Sequence, residues 1–301
     1  MAHKVLLYPL GHPVEVASDA AEAILAALES WGAWPQLFAS QALRFRLDAL
    51  EGPAAVGEPS FSDCGGVITL YCDAQNQGSF SLQPRAGWLR VSRPALGERG
   101  WFRYHLLEAL VLTALDAVFF TPVHAACITR KDLRPERGVL LCGDSGAGKT
   151  TLAFAAARAG WTLVSEDGVH LAADAATTAV GGAHTFRLRE QARALFPELE
   201  SRSASMARNG KMAIAVEAGA TGMSTAWSTF IKHSVFLERR TGPASLSELR
   251  PDQGLPYFLE WVRNPDRAAA EIRARDLLAR GCWRLQYDEF PDAIRLLEQL
   301  R

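Results

Sequence analysis

The chain has no surplus of charge: 32 Lys and Arg stand against 33 Asp and Glu, a net charge of −1. Nucleic-acid binding therefore lacks the basic excess that would announce it, and there is no acidic tail of the kind that signals disorder. Cysteine is sparse. Cys64, Cys72, Cys127, Cys142 and Cys282 are scattered without a CxxC spacing, which fits free thiols in a reducing compartment. Long hydrophobic runs are missing too. The opening MAHKVLLYPLGHP holds too short an apolar run for a signal peptide, and the longest apolar segment, residues 109–120, carries Asp116 and falls short of a membrane span. There is no internal repeat. The expectation is a soluble cytoplasmic protein that engages neither membrane nor nucleic acid.

What is present is apolar material for a sizeable core, 49% of 301 residues. In the first third, KVLLY reads as a strand and residues 18–32 as a helix with Ile24, Leu25, Leu28 and Trp31 on one stripe. The runs GGVITLYC, GSFSLQP and GWLRVSR, parted by turn residues, read as an antiparallel meander. Residues 101–120 form the strongest helical pattern, ended by Pro122. VHAACIT, a charged turn over 131–137 and GVLLC then predict a hairpin. Strands WTLVS, VHLAA, HTFRLR, KHSVFLER and CWRLQYD follow, with helices near 256–262, 267–279 and 292–300, while 190–229 has no clear pattern. The predicted organisation is a small N-terminal α/β unit over 1–100 and a larger α/β domain over 101–301.

Chemistry enters at GDSGAGKT, residues 143–150, which match GxxxxGK[ST]. Glycines at 143, 146 and 148 let the backbone take positive φ and turn successive N–H groups inward as an anion nest. The helix that follows adds its positive N-terminal end. Strand, loop and helix are all legible around the motif. Gly143, Asp144, Ser145, Gly146, Ala147, Gly148, Lys149, Thr150 and Thr151 are thus the candidate nucleotide-binding residues. Lys149 is placed to reach the β- and γ-phosphates, and the Thr150 hydroxyl to ligate Mg²⁺.

A phosphate-loop enzyme needs an acid near the metal, commonly at the end of a neighbouring strand. Glu166 and Asp167 end the run LVS one helix and one strand after Lys149. One carboxylate would hold the metal and the other take a proton; a solvated pair in a tight turn before Gly168 is the competing reading. His124 is expected to open the strand paired with the loop's own strand. It stands as a candidate at even odds with a satisfied core histidine.

In this order, VHAACITR, the charged turn, GVLLCGDSGAGKTTLAFAAARAG and WTLVSEDGVHL resemble the catalytic domain of HPr kinase/phosphorylase, and more closely its relatives, the HPr-kinase-like serine kinases. The close match covers residues 123–172. Downstream, FRLR at 186–189, GK at 210–211 and SVFLER at 234–239 are similar, which makes Arg187 and Lys211 candidates for touching phosphate or substrate, with ordinary surface charge as the alternative. The resemblance implies a mixed-sheet phosphate-loop fold shared with PEP carboxykinases, ATP and Mg²⁺ as cofactors, and catalytic roles for His124, Lys149, Glu166 and Asp167. Mg²⁺ would sit on Thr150 and an acid of the pair, Asp167 being the metal candidate, although which acid is base stays open. The family has Asp where this chain has Glu166, and its LEIRG-type stretch is missing here. HPr itself is therefore not the expected acceptor.

The expected reaction is phosphoryl transfer from Mg-ATP to a hydroxyl, foremost serine, of a peptide, protein or small metabolite. The competing class is a nucleotide sensor that binds without transfer. A carboxykinase-like enzyme ranks lower because no metal-binding His/Lys/Asp cluster is evident. A homo-oligomer is allowed by the resemblance, and nothing in the sequence names its contacts.

Overall fold

The computed structural model describes residues 3–54, 57–130, 137–173, 178–182, 184–206, 211–262 and 267–300. The chain divides into two compact units, Met1–Phe119 and Phe120–Arg301.

The first unit is one seven-stranded sheet with helices on one face. Its strands are β1 (His3–Leu7), β2 (Val14–Ser18), β3 (Leu43–Leu50), β4 (Ser60–Cys64), β5 (Val67–Tyr71), β6 (Gln77–Ser81) and β7 (Ala86–Ser92), in spatial order β1-β2-β3-β7-β6-β5-β4. The expected meander is β5, β6 and β7; β2, β3 and β4 were not foreseen. Helix α1 (Ala21–Trp31) carries the chain from β2 to the parallel strand β3. Alternation sets the faces: Leu43, Phe45 and Leu47 are buried while Arg44 and Arg46 are exposed. Short helices α2 (Arg93–Gly97) and α3 (Arg99–Trp101) lead into a π-helical stretch, Phe102–Glu108, and then α4 (Ala109–Phe119). The expected single α-helix over 101–120 is thus wound wider at its start, which turns Phe102, Leu106 and Leu107 into the core. This helical stretch packs against α1 and β6, so it belongs to the first unit rather than heading the second.

The second unit is built on a nine-stranded mixed sheet. Its strands are β8 (Phe120–His124), β9 (Ala126–Thr129), β10 (Gly138–Cys142), β11 (Thr162–Ser165), β12 (Gly168–Ala172), β13 (Thr178–Gly181), β17 (Ser228–Arg239), β18 (Ser245–Glu248) and β19 (Cys282–Tyr287); β14 (Thr185–Leu188), β15 (Ser205–Met206) and β16 (Met212–Glu217) make a separate small sheet in the order β14-β16-β15. As expected, β9 and β10 pair antiparallel. The turn proposed to join them falls mostly on 131–136, outside the described residues. β11 runs antiparallel to β9, so β10 and β11 point the same way and end at the same edge. The twelve-residue β17 is shared: its first residues pair with β13, and Ile231–Arg239 lies parallel to β10 and β19.

Helix α5 (Lys149–Arg158) and α8 (Phe290–Leu297) cover one face of this sheet together with the small sheet, around Leu152, Phe154, Phe186, Leu285 and Tyr287. Helices α6 (Pro251–Glu260) and α7 (Arg267–Leu278) cover the other, around Leu140, Val164, Phe236, Phe258 and Leu277. The result is a mixed α/β architecture with several mixed sheets, consistent with an α/β nucleotide-binding fold. No helix among the described residues is long and apolar enough to cross a membrane.

One expectation is corrected here. VHAACIT is not a single strand, and His124 does not open the partner of the loop's strand. His124 closes β8, which pairs with β12; Ala125 is a break, and Ala126 opens β9. The chain passes at Ala125 from one set of pairings to another. Pro122 is accommodated because β8 lies at the edge of the sheet, where a missing N–H costs no ladder bond.

Candidate functional site

Four buried residues of β10, Val139 to Cys142, end in the loop at residues 143–148, and α5 begins at Lys149. Gly146 and Gly148 take φ of 95° and 93°, a left-handed conformation that L side chains rarely adopt. Gly148 is the N-cap of α5, and Leu152 N–H donates to its carbonyl at 2.7 Å. Asp144, Ser145 and Gly146 are exposed. The Lys149 ammonium is buried and donates to the carbonyls of Gly143 at 2.7 Å and Asp144 at 3.2 Å. Burial lowers its pKa, while the Asp167 carboxylate pulls it back up. Thr151 lies half-buried two residues further along α5.

The acid pair returns to this loop. β11 is parallel to β10, and Glu166-Asp167 follows its carboxyl end. The Thr150 hydroxyl donates to the Glu166 backbone carbonyl at 3.4 Å. The two acids occupy different surroundings. Glu166 is 5% exposed, and burial, then the neighbouring Asp167 charge, push its pKa up to about 7 against the pull of Arg187. Arg187, from β14, donates to Glu166 Oε1 at 3.3 Å. The Asp167 side chain is 59% exposed, and its Oδ1 lies 3.1 Å from His124 Nδ1. His124 reaches it because β8 and β12 place His124 opposite Gly168.

The structure thus brings together His124, Lys149, Thr150, Glu166, Asp167 and Arg187 at one end of the sheet. Lys211 is exposed just before β16. Among the described residues, no three His, Cys, Asp or Glu cluster as a preformed metal cage. Mg²⁺ does not need one, since it keeps several waters and takes one or two carboxylates plus phosphate oxygens. The Thr150 hydroxyl and the exposed Asp167 carboxylate are hard oxygen donors of the right kind.

No family model matches the chain, and no curated protein does. Among solved structures it is similar to the HPr(Ser) kinase/phosphatase from Coxiella burnetii, at 11% identity over 60% of this chain and 93% of that one, with a TM-score of 0.32. That likeness is too distant to bear weight, and the chemistry rests on the site's own geometry.

One residue beneath the loop escaped sequence reasoning. Tyr287, the last residue of β19, is fully buried and donates its hydroxyl to the Ala147 carbonyl at 3.0 Å. Burial raises its pKa to about 12, so the hydroxyl stays a donor. A Cβ on Gly148 would lie 2.7 Å from that oxygen. The tyrosine and the glycine fit each other. The strand CWRLQYD was foreseen, but nothing in its pattern connects its tyrosine to a loop 140 residues upstream.

Proposed function

We propose that the second unit is an ATP- and Mg²⁺-dependent kinase that transfers the γ-phosphoryl group to a hydroxyl, foremost serine, of a peptide, protein or small metabolite. The observation that carries this reading is the pairing of a phosphate loop with two adjacent carboxylates in unlike environments: Glu166 buried with its pKa near 7, and Asp167 exposed and held by His124. A bare nucleotide sensor needs the loop alone. A buried carboxyl whose pKa is raised toward neutrality, beside an exposed one, is a usual mark of an acid/base site.

In this reading the loop N–H groups of residues 143–148 and the N-terminus of α5 hold the phosphates. Lys149 leaves the carbonyls of Gly143 and Asp144 to meet the charge on the transferred group. Mg²⁺, when bound, supplies neutralisation of phosphate charge. Thr150 and Asp167 would hold it, with His124 orienting the Asp167 carboxylate. Glu166 accepts the proton of the attacking hydroxyl, a role suited to a group whose pKa lies near the working pH. The new bond joins the acceptor oxygen to the γ-phosphorus, the bond to the bridging oxygen breaks, and ADP leaves with that electron pair. Arg187 covers Glu166 from the small sheet, so the acceptor must displace it or share it.

The test is incubation of the pure chain with Mg-ATP, a peptide library and cell lysate, with ADP read by chromatography and added phosphate by mass spectrometry. A phosphorylated serine that disappears in Asp167→Asn, with ATP binding retained, supports the kinase. Tight ATP binding with no ADP in any mixture would overturn it in favour of the sensor.

A further inference from the structure

The register of the seven-stranded sheet sets Arg44 and Arg46 of β3 beside Ala86 and Trp88 of β7, and Asp48 beside Arg90. These residues point away from Leu43, Phe45, Leu47 and Leu89, which are buried in the core. The same outward face continues through Gln77 and Ser79 of β6 to Tyr71 and Thr69 of β5, and none of these outward residues is buried. Its charge is sorted against the rest of the unit. Residues 1–119 carry eight Lys and Arg against twelve Asp and Glu. On this face the balance is reversed: Lys4, Arg44, Arg46 and Arg90 stand against Glu15 and Asp48. Both acids are already paired, Glu15 with Lys4 at 2.6 Å and Asp48 with Arg46 at 2.8 Å. Arg44 and Arg90 are exposed and make no ion pair among the described residues. The Arg90 guanidinium lies over the Trp88 ring, 5.0 Å from its centroid.

Arg44 and the residue opposite Arg90 are four positions apart on β3, a span of roughly 13 Å, and Trp88 stands midway between them. An extended segment with carboxylates four residues apart spans the same distance, and the side chain halfway between them falls on Trp88. Each guanidinium can donate a bidentate pair of hydrogen bonds to a carboxylate. We infer that this face docks an acidic, extended polypeptide segment, its carboxylates on Arg44 and Arg90 and an apolar side chain between them on Trp88. Trp, Tyr and Arg are also the side chains that carry most of the binding energy at protein interfaces. A second copy of the chain is the wrong partner, since two such faces would meet positive to positive. A nucleic acid calls for a basic field, and the unit around this face is acidic. The inference does not depend on phosphoryl transfer.

The probe is a fluorescein-labelled peptide repeating Glu-Thr-Val-Thr, which sets its carboxylates four residues apart, titrated by anisotropy with the full chain and no nucleotide. Its control is the same labelled peptide with Gln for every Glu. Saturable binding of the acidic peptide and none of the control are expected. Arg44→Glu and Arg90→Glu should each weaken binding about tenfold or more, as loss of a hydrogen-bonded charge pair does. Trp88→Gln should weaken it as well, whereas Arg280→Glu, at an exposed arginine of the second unit, should leave it unchanged. Melting curves confirm that each variant is folded. No saturable binding, equal binding of the Gln peptide, wild-type affinity in folded Arg44→Glu and Arg90→Glu, or equal weakening by Arg280→Glu would overturn the assignment. Displacement of the peptide by a single-stranded oligothymidylate that binds more tightly would overturn it in favour of a nucleic acid.

Discussion

His124 Nδ1 lies 3.1 Å from Asp167 Oδ1, joining the end of one edge strand to the acid that follows another. The contact orients a carboxylate that is 59% exposed. If Asp167 faces the metal, His124 is its supporting group, and such groups are worth about 10- to 100-fold in activity. His124→Ala should lower kcat by about that factor while leaving ATP affinity within about twofold. Steady-state kinetics beside a calorimetric ATP titration checks both; an unchanged kcat would remove His124 from the mechanism.

Glu166 predicts the acid limb of the pH profile. As base it works only when ionised, so kcat/KM should fall as pH drops through about 7. Stability runs the other way. A carboxyl whose folded pKa lies above its unfolded value binds its proton more tightly in the folded state, so its stabilising contribution is full below the unfolded pKa near 4.5 and is lost as pH rises to about 7. Glu166→Gln should therefore abolish transfer yet raise Tm relative to the parent near pH 8, with little difference near pH 4. Equal Tm differences at both pH values would contradict the raised pKa.

Arg187 holds that pKa down through its charge. Arg187→Gln should move the acid limb to higher pH, because the protonated form of Glu166 loses a competitor. A pH–rate series for the variant decides it: a limb that stays put would show that Arg187 does not act on Glu166 in solution.

Tyr287 and Gly148 predict a coupled pair. Tyr287→Phe removes one hydrogen bond to the loop, and a neutral bond contributes about 1 kcal/mol, or roughly fivefold in ATP affinity. Gly148→Ala should weaken binding more, since it meets both the positive φ and the tyrosine hydroxyl. In the double variant the clash with the hydroxyl is gone and only backbone strain remains, so the losses should not add. Additive losses in ATP titrations would mean that the two residues do not meet.

The loop was legible because its chemistry is local: three glycines, Lys149 and Thr150 in eight consecutive positions need no tertiary information. The acid pair was legible by position, one helix and one strand further on. His124 was seen, but its place was misread, because the break at Ala125 is set by pairing with β12 and β10 rather than by any turn residue. Two strands of the small sheet, β15 and β16, were hidden in an Ala/Ser/Gly/Thr-rich stretch; β14 was foreseen in HTFRLR, but Arg187 on it was a candidate only through resemblance, and its partner Glu166 could not be named. Tyr287 was invisible for the same reason: its role is a single long-range hydrogen bond. In the first unit β2 and β3 were missed although their alternation is clean, VEVAS and LRFRL.

Strand β17 carries a consequence for how the second unit comes apart. It pairs with β13 at one end and with both β10 and β19 along the rest, so both sets of strands hang from one continuous backbone. Neither can be shed while the other persists. The second unit should melt as a single cooperative block, and the amides between Val235 and Leu237, ladder-bound and buried, should be its last to exchange with deuterium.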